Sequence, residues 1–289
     1  MHTDPKTHDA TVSDLLKEMA DELRDMSPSA RLDAELLLGH VLRKSRTELY
    51  AYGEKKVNPE STAVFVNLVH RRREGQPIAQ LVGSREFWSM KLAVTNDTLV
   101  PRPETEILVG CALTHLPEDQ AANVLDLGTG SGAIALSIAQ ERPDVSVTAT
   151  DVSPEALRIA RYNAHSLGLT QVEFKQGDWF NPVRGRKFSM IVANPPYVTD
   201  MEMIVHDFEL RHEPRVALAG GGEDGLDAIK KIIDEAQNHL FPGGWLAIEH
   251  GHRQGPSVEI LMREAGMWSI FGYTDLQGHI RVTEAKLRQ

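Results

Sequence analysis

The stretch Val124-Leu125-Asp126-Leu127-Gly128-Thr129-Gly130-Ser131-Gly132-Ala133 leaves few folds open. A short apolar strand runs into three glycines at alternate positions and then into an apolar helix, Ile134 to Ala139. Glycine lets the backbone turn tightly and approach a ligand closely. The next strand, Val145 to Thr150, ends at Asp151, at roughly the twenty-residue spacing at which an acidic side chain accepts hydrogen bonds from a ribose. From residue 122 onward strand and helix patterns alternate, which argues for a parallel sheet with helices on both faces. The spacing Gly128-x-Gly130-x-x-Ala133 suits a nicotinamide dinucleotide as well as S-adenosylmethionine, so taken alone it implies a nucleoside-bearing ligand and no more.

A second motif separates the two. Ile191-Val192-Ala193 reads as the fourth strand of the same sheet and stops at Asn194-Pro195-Pro196-Tyr197. Proline fixes φ, lacks an N–H and pushes the preceding residue out of the helical region, so Asn194 and Pro195 are both held extended. The Asn194 side-chain carbonyl and the Pro195 backbone carbonyl can then point the same way, two acceptors in a stiff corner with Tyr197 as a wall. Such a corner suits a planar –NH2 group, for which hydride transfer has no use. Asn-Pro also commonly marks a plain strand-ending turn; the upstream glycine loop is what argues for more. A third strand, Val172 to Lys175, leads to Gly177-Asp178-Trp179-Phe180. Ligands of open α/β sheets sit off the carboxyl ends of strands, which puts Asp178 where it can accept from an exocyclic amine and Trp179 where it can stack on an adenine. A buried Trp anchoring the loop is an equal alternative.

The remaining chain frames these motifs. With 289 residues and 41% hydrophobic content it is long enough for two domains, one with a sizeable core. A formal net charge of -10 argues against a broad phosphate-binding surface, so no direct DNA binding is expected. The single cysteine, Cys111, excludes an internal disulfide and a multi-cysteine metal site, and reads as a small buried filler on an apolar helix. No metal is expected: the twelve histidines show no ligand spacing, and His250 with His252 reads as solvated surface. The start, Met1 to Ala10, is polar and reads as disordered; it has no apolar signal region, and no apolar run reaches membrane-spanning length, so a cytoplasmic protein is the default.

Residues 11 to about 82 read as a small helical bundle. Ser13 is a candidate cap for a helix through Met26. The next helix carries an apolar stripe of Ala34, Leu37, Leu38, Val41 and Leu42, and Asn58-Pro59 starts a helix from Glu60 to Glu74. Arg71-Arg72-Arg73 in its last turn complements the helix C-terminus or meets a partner. Glu86 to Val94 reads as strand with Asn96-Asp97 as a turn, making 83–100 a hairpin connector ahead of the second domain, 101–289. Val100-Pro101-Arg102-Pro103-Glu104-Thr105-Glu106 is a stiff entry to a helix from Ile107 to Leu116 that directs Arg102 and Glu104, either as a plain linker or as a lip over the ligand. Ser153-Pro154 starts a helix closed by Gly168. After Tyr197 comes an irregular, Met-rich and charged segment to Pro214, then Gly220-Gly221-Gly222-Glu223-Asp224-Gly225; residues 198–225 are a candidate lid. Then follow a helix from Leu226 to Leu240, a turn at Phe241–Gly244, a strand from Trp245 to Glu249, a helix from Gln254 to Ala265, and strands at Trp268–Tyr273 and His279–Thr283.

Taken together, Asp126-x-Gly128-x-Gly130-x-Gly132, Asp151, Asp178-Trp179 and Asn194-Pro195-Pro196-Tyr197, in this order, resemble a class I S-adenosylmethionine-dependent methyltransferase. With the helical N-terminal region, Arg85-Glu86-Phe87-Trp88 and Pro101-Arg102-Pro103-Glu104-Thr105-Glu106 added, the chain is similar over nearly its whole length to the release factor glutamine methyltransferases. The Pro-Arg-Pro-Glu-Thr-Glu segment favours them over the sibling group that acts on a large-subunit ribosomal protein; methylation of the adenine amine in DNA is the more distant alternative. The resemblance implies a seven-stranded Rossmann-like α/β sheet behind a small helical bundle that recognises substrate. It implies that Asp126, Gly128, Thr129, Gly130, Ser131, Gly132, Asp151, Asp178, Trp179 and Asn194 bind S-adenosyl-L-methionine. It also implies that Asn194, Pro195, Pro196 and Tyr197 hold the glutamine of the Gly-Gly-Gln loop of a class-1 peptide chain release factor, with Asn194, Pro195 and Tyr197 catalytic.

Overall fold

The computed structural model describes residues 10–116 and 121–288 and divides the chain into two compact units, one ending at Gly83 and one starting at Ser84. The disorder expected of the N-terminal residues lies outside the described residues except at Ala10, whose carbonyl accepts the Val57 N–H at 3.0 Å.

The first unit is helical. α1 (Val12–Leu23) is capped by Thr11 rather than Ser13: Thr11 Oγ1 accepts the Asp14 N–H and the Asp14 carboxylate accepts the Thr11 N–H, a reciprocal box that satisfies two otherwise orphaned donors. α2 (Ala30–Leu42) buries Ala34, Leu37 and Leu38 against Leu15, Leu16 and Met19 of α1. Two short helices were not anticipated, α3 (Arg46–Ala51) and, after α4, α5 (Ile78–Val82). The signal for α3 is present as a second capping box, Ser45 with Glu48. α4 (Pro59–Arg73) starts where expected, with Asn58 Oδ1 accepting the Ser61 N–H at 2.8 Å. Its three arginines are spoken for within the unit: Arg71 donates to Gln76, Arg72 to Asp33 and Arg73 to Glu22.

The second unit opens with an antiparallel hairpin, β1 (Ser84–Phe87) and β2 (Met90–Ala93). The Glu86–Val94 run is therefore two strands, not one, and the turn falls at Trp88-Ser89, both at positive φ (49° and 59°), not at Asn96-Asp97. A two-residue turn of this kind normally advertises itself through Asn or Gly. Here outside contacts hold it instead, the Trp88 N–H and indole donating to Glu106 and Glu141.

The main sheet follows, with α6 (Thr105–Thr114), β3 (Asn123–Leu127), α7 (Ala133–Glu141), β4 (Ser146–Asp151), α8 (Pro154–Leu167), β5 (Glu173–Gln176), β6 (Phe188–Ala193), α9 (Asp200–Val205), α10 (Asp207–Leu210), α11 (Asp227–Ala236), β7 (Leu240–Glu249), α12 (Gly255–Glu264), β8 (Trp268–Thr274) and β9 (Ile280–Lys286). The seven strands lie in the order β5-β4-β3-β6-β7-β9-β8, with only β9 antiparallel to its neighbours. Alternation splits the sheet's apolar residues between two faces. Val124, Val147, Met190 and Val192 face α6 and α7, while Leu125, Leu127, Ile191 and Ile248 face α11 and α12.

Three local readings change. Phe241–Gly244 is part of β7, because the pairing steps from Phe188↔Leu240 to Met190↔Trp245 and absorbs the extra residues as a bulge. The stretch from Tyr197 to Pro214 is not irregular throughout: Thr199 and Glu202 form a capping box that starts α9, α10 follows, and Val198 bridges Ala219. His250 is buried rather than solvated; its Nε2 pairs with Thr283 Oγ1 at 2.8 Å, and burial holds its pKa below the usual imidazole value. Cys111 is buried as expected, and its thiol donates to Glu284, which His115 also contacts.

Candidate active site

Strand order reverses between β3 and β6, where α/β sheets open a crevice at their carboxyl ends. A cavity of about 600 Å³ lies there, within the range that suits a cofactor-sized ligand. Its walls include Gly128, Thr129, Gly130 and Ser131 after β3, Asp151 at the end of β4, Asp178 and Trp179 after β5, and Asn194 and Pro196 after β6.

The glycines adopt the conformations that exclude other residues, with φ of 71°, 57° and 87° at Gly128, Gly130 and Gly132. A Cβ built on Gly130 meets nothing within 4 Å, so this glycine keeps space open; one on Gly132 would press on Leu136 and Ala160, so that glycine serves packing. Gly132 accordingly stays out of the cavity lining. Asp126 does so too, a correction to its expected contact with the ligand. It points from β3 toward the N-terminus of α7, where its Oδ2 accepts the Thr129 hydroxyl at 2.6 Å and the Ala135 N–H at 3.2 Å. Complete burial pushes its pKa up to about 7 against those bonds. Asp151 accepts the Gly130 N–H at 2.8 Å on Oδ2 and the Ser153 N–H at 2.9 Å on Oδ1, which fixes its carboxylate at the cavity edge with lone pairs to spare. Asp178 is ion-paired to Lys231 of α11, and Trp179, at a positive φ of 44°, lays its ring against Gly128.

A second cavity of about 110 Å³ lies beside Asn194, Pro195, Tyr197 and Leu210. Asn194 and Arg102 line both cavities. Asn194 Nδ2 donates to Thr105 Oγ1 at 3.2 Å, while Oδ1 is buried with no hydrogen-bond partner. The Tyr197 hydroxyl donates to Glu249 at 3.3 Å, and burial raises the pKa of its phenol. Three residues of this region were not singled out from the sequence. Thr105 and Glu249 back the Asn-Pro-Pro-Tyr corner, and Glu213 accepts from Arg102 and from the Val100 N–H. The stiff entry to α6 draws attention to Arg102 and Glu104 rather than to Thr105, and a strand ending in Glu249-His250-Gly251 carries no spacing that marks it as part of a site.

The residues present fit S-adenosyl-L-methionine: an open glycine cradle, an acidic strand end, an indole over the cradle and an unpartnered carbonyl at the far end. A seven-stranded sheet with one reversed strand and these features at its switch point is that of a class I S-adenosylmethionine-dependent methyltransferase. Residues 105–223 match the family described as Methyltransferase small domain, and residues 14–83 match PrmC N-terminal domain. The chain is 45% identical over 276 residues to the release factor glutamine methyltransferase of Coxiella burnetii, covering 96% of this chain and 99% of that one. It is 42% identical to the same-named protein of Escherichia coli K12, over 95% and 98% of the two chains. It belongs to the release factor glutamine methyltransferase family. Among solved structures, a methyltransferase from Pyrococcus furiosus shares the fold at 20% identity with a TM-score of 0.55, covering 77% of this chain and 99% of that one.

Proposed function

We propose that this protein transfers a methyl group from S-adenosyl-L-methionine to the side-chain amide nitrogen of the glutamine in the Gly-Gly-Gln motif of class-1 release factors. The observation that carries the acceptor chemistry is Asn194, which borders both cavities and keeps a buried, unpartnered carbonyl between them. An amide nitrogen is a poor nucleophile because its lone pair is delocalised into the carbonyl, the resonance behind the ~18–20 kcal/mol rotation barrier of a peptide bond. When bound, S-adenosyl-L-methionine would supply an electrophilic methyl on its sulfonium: the N–CH3 bond forms as the S–CH3 bond breaks, S-adenosylhomocysteine leaves as a neutral thioether, and the amide nitrogen gives up one proton to solvent.

The chain's own residues do the positioning. Asn194 Oδ1 and the Pro195 carbonyl accept the two amide N–H bonds and aim the nitrogen's lone pair, and favour its shift toward tetrahedral geometry. Orientation of this kind contributes up to about 7–11 kcal/mol to lowering a barrier, and acceptors matched to developing positive charge add to it. Tyr197 packs on the amide plane, and the Gly128–Ser131 loop with Asp151 and Trp179 holds the donor. The helical unit serves substrate recognition; it is a compact unit of its own, with a separate family match over residues 14–83. A net charge of -10 supports a protein acceptor over a polyphosphate, and no helix among the described residues is long and apolar enough to cross a membrane, in keeping with work in the cytoplasm.

The test is mass spectrometry of a purified class-1 release factor after incubation with enzyme and S-adenosylmethionine. A gain of one methyl on the Gly-Gly-Gln peptide is expected, and its loss in Asn194→Ala with cofactor binding intact. An Asn194→Ala enzyme that turns over like the wild type would sink the assignment of the corner.

A further inference from the structure

We propose that Gln254 is a positioning residue for this reaction: its side-chain amide locks the backbone at Tyr197 and through it sets where the Pro195 carbonyl points. The inference deepens the functional reading and rests on it, since it takes Asn194 Oδ1 and the Pro195 carbonyl as the two acceptors of the substrate amide. Gln254 directly precedes α12, is half-buried and lines neither cavity. Its side chain is nonetheless bonded to backbone three times. Nε2 donates to the Tyr197 carbonyl at 3.1 Å and to the Asp224 carbonyl at 2.8 Å, 57 and 30 residues away, and Oε1 accepts the Gly251 N–H at 2.7 Å.

Two carbonyls that only accept and one N–H that only donates leave the amide a single orientation, with both protons and the oxygen in use. It therefore joins the end of the Asn-Pro-Pro-Tyr corner, the glycine-rich stretch ahead of α11 and the residues that close β7. Its own helix draws nothing from it. Gln254 stands at the N-cap of α12 without a side-chain capping bond, a place where the shorter Ser, Thr, Asp and Asn satisfy helix N–H groups. The longer glutamine reaches the corner instead.

The need for such a tie follows from the prolines. Neither peptide unit flanking Pro195 carries an N–H, because residues 195 and 196 are both proline, so no donor in those units can pin them. The direction of the Pro195 carbonyl is inherited from the anchors on either side. Upstream, Asn194 Nδ2 donates to Thr105 Oγ1 at 3.2 Å. Downstream, the Tyr197 hydroxyl donates to Glu249, a bond at the tip of a side chain, whereas the Gln254 bond grips the backbone itself two residues from Pro195. The glycine-rich stretch closes on the same spot: a Cβ on Gly220 would fall 2.7 Å from Tyr197 Cα, and Gln254 holds that stretch through the Asp224 carbonyl.

The experiment measures kcat and KM for a release factor, with S-adenosylhomocysteine affinity and melting temperature, for wild type, Gln254→Ala, Gln254→Glu and Gln254→Lys. Alanine removes all three bonds. Glutamate keeps an acceptor for the Gly251 N–H and loses both donors, while lysine keeps donors for the Tyr197 and Asp224 carbonyls and loses the acceptor. Expected are a kcat lower by about tenfold or more in Gln254→Ala and Gln254→Glu, the scale of a small misplacement of a reacting group, with cofactor affinity within about twofold. Gln254→Lys recovers most of the lost kcat. A purely structural role at the β7–α12 junction gives the reverse order, with Gln254→Glu active and Gln254→Lys impaired, and overturns the inference. So does a Gln254→Lys enzyme as impaired as Gln254→Glu, a wild-type kcat in Gln254→Ala or Gln254→Glu, or a loss confined to melting temperature or cofactor affinity. A wild-type enzyme that leaves the Gly-Gly-Gln peptide unmethylated fails the functional reading instead, so the two failures are distinct.

Discussion

Glu213 accepts the backbone N–H of Val100 at 2.8 Å, a bond that spans 113 residues and joins the segment after β6 to the stretch that enters α6. Its other oxygen takes the Arg102 guanidinium, and its side chain is 1% exposed, so the carboxylate depends on these two partners. Pro214 and Ala217, just beyond it, line the larger cavity, as Arg102 does. Removing the carboxylate in Glu213→Ala leaves a buried N–H and a guanidinium unpaired at that wall. Hydrogen bonds to charged groups contribute ~1.5–3 kcal/mol each, so cofactor affinity is expected to fall by about tenfold or more in calorimetric titration with S-adenosylhomocysteine. Glu213→Gln retains an acceptor for Val100 and loses less. An Ala variant with unchanged affinity would mean that the wall stands without this tie.

The glycine loop separates binding from stability at two positions. Gly130 and Gly132 both sit at positive φ, 57° and 87°, where alanine is strained by roughly 1–2 kcal/mol. An alanine Cβ at Gly132 also meets Leu136 Cδ1 at 3.0 Å and Ala160 Cβ at 3.3 Å, whereas at Gly130 it stands in open space on a residue that lines the cavity. Gly132→Ala is expected to lower the melting temperature more, and Gly130→Ala to abolish most of the stabilisation that S-adenosylhomocysteine confers. Thermal melts with and without ligand read both; equal ligand-induced shifts in the two variants would contradict this division.

Asp151 ties the glycine loop to a carboxylate at the cavity edge. Its two oxygens each already hold one backbone N–H, Gly130 and Ser153, so the carboxylate is aimed before any ligand arrives. Burial raises its pKa above the ordinary aspartate value, against the bonds from Ser153, Gly130 and Val152. Cofactor affinity is therefore expected to weaken on acidification at a higher pH than a solvated aspartate would give. Asp151→Asn keeps the shape and loses the charge, and about a tenfold weaker Kd, ~1.4 kcal/mol, is expected at neutral pH with the acid limb flattened. A variant that keeps the wild-type acid limb assigns that limb to another group.

Much of this site is legible in the chain because its devices are local. A glycine at positive φ, a proline after an asparagine and an acidic residue closing a strand act through their own backbone, so their spacing alone places them around one crevice. Thr105, Glu213 and Glu249 are different. Each works through a partner far along the chain, Asn194, Val100 and Tyr197 respectively, and no short-range pattern marks such a pairing. The hairpin turn at Trp88-Ser89 escapes for the same reason, since Glu106 and Glu141 hold a conformation its own residues do not favour. His250 illustrates the reverse: a polar pair near Gly251 suggests surface, but the pairing of β7 with β9 brings Thr283 to its ring and buries it.

Asp126 makes stability depend on pH in the direction opposite to a salt-bridged aspartate. Its folded pKa is pushed from 3.8 up to about 7, first by burial and further by the nearby Asp151 charge, with the Thr129 and Ala135 bonds opposing. Between those two values the folded chain keeps a proton that the unfolded chain has lost, so the folded state binds more protons and stability falls as pH rises. Below the lower value both states are protonated and the effect vanishes; above the upper one the whole penalty is present. Asp126→Asn removes the titration while keeping an acceptor for the Thr129 hydroxyl and the Ala135 N–H. Relative to wild type, its unfolding free energy is expected to be level at acid pH and to gain steadily through the window, by ~1.4 kcal/mol for each pKa unit separating the states. Urea denaturation of both proteins at a series of pH values reads this difference. A gap that stays constant from acid to neutral pH would mean that Asp126 holds its proton no more tightly in the folded chain than in the unfolded one, and that the Thr129 and Ala135 bonds fully offset its burial.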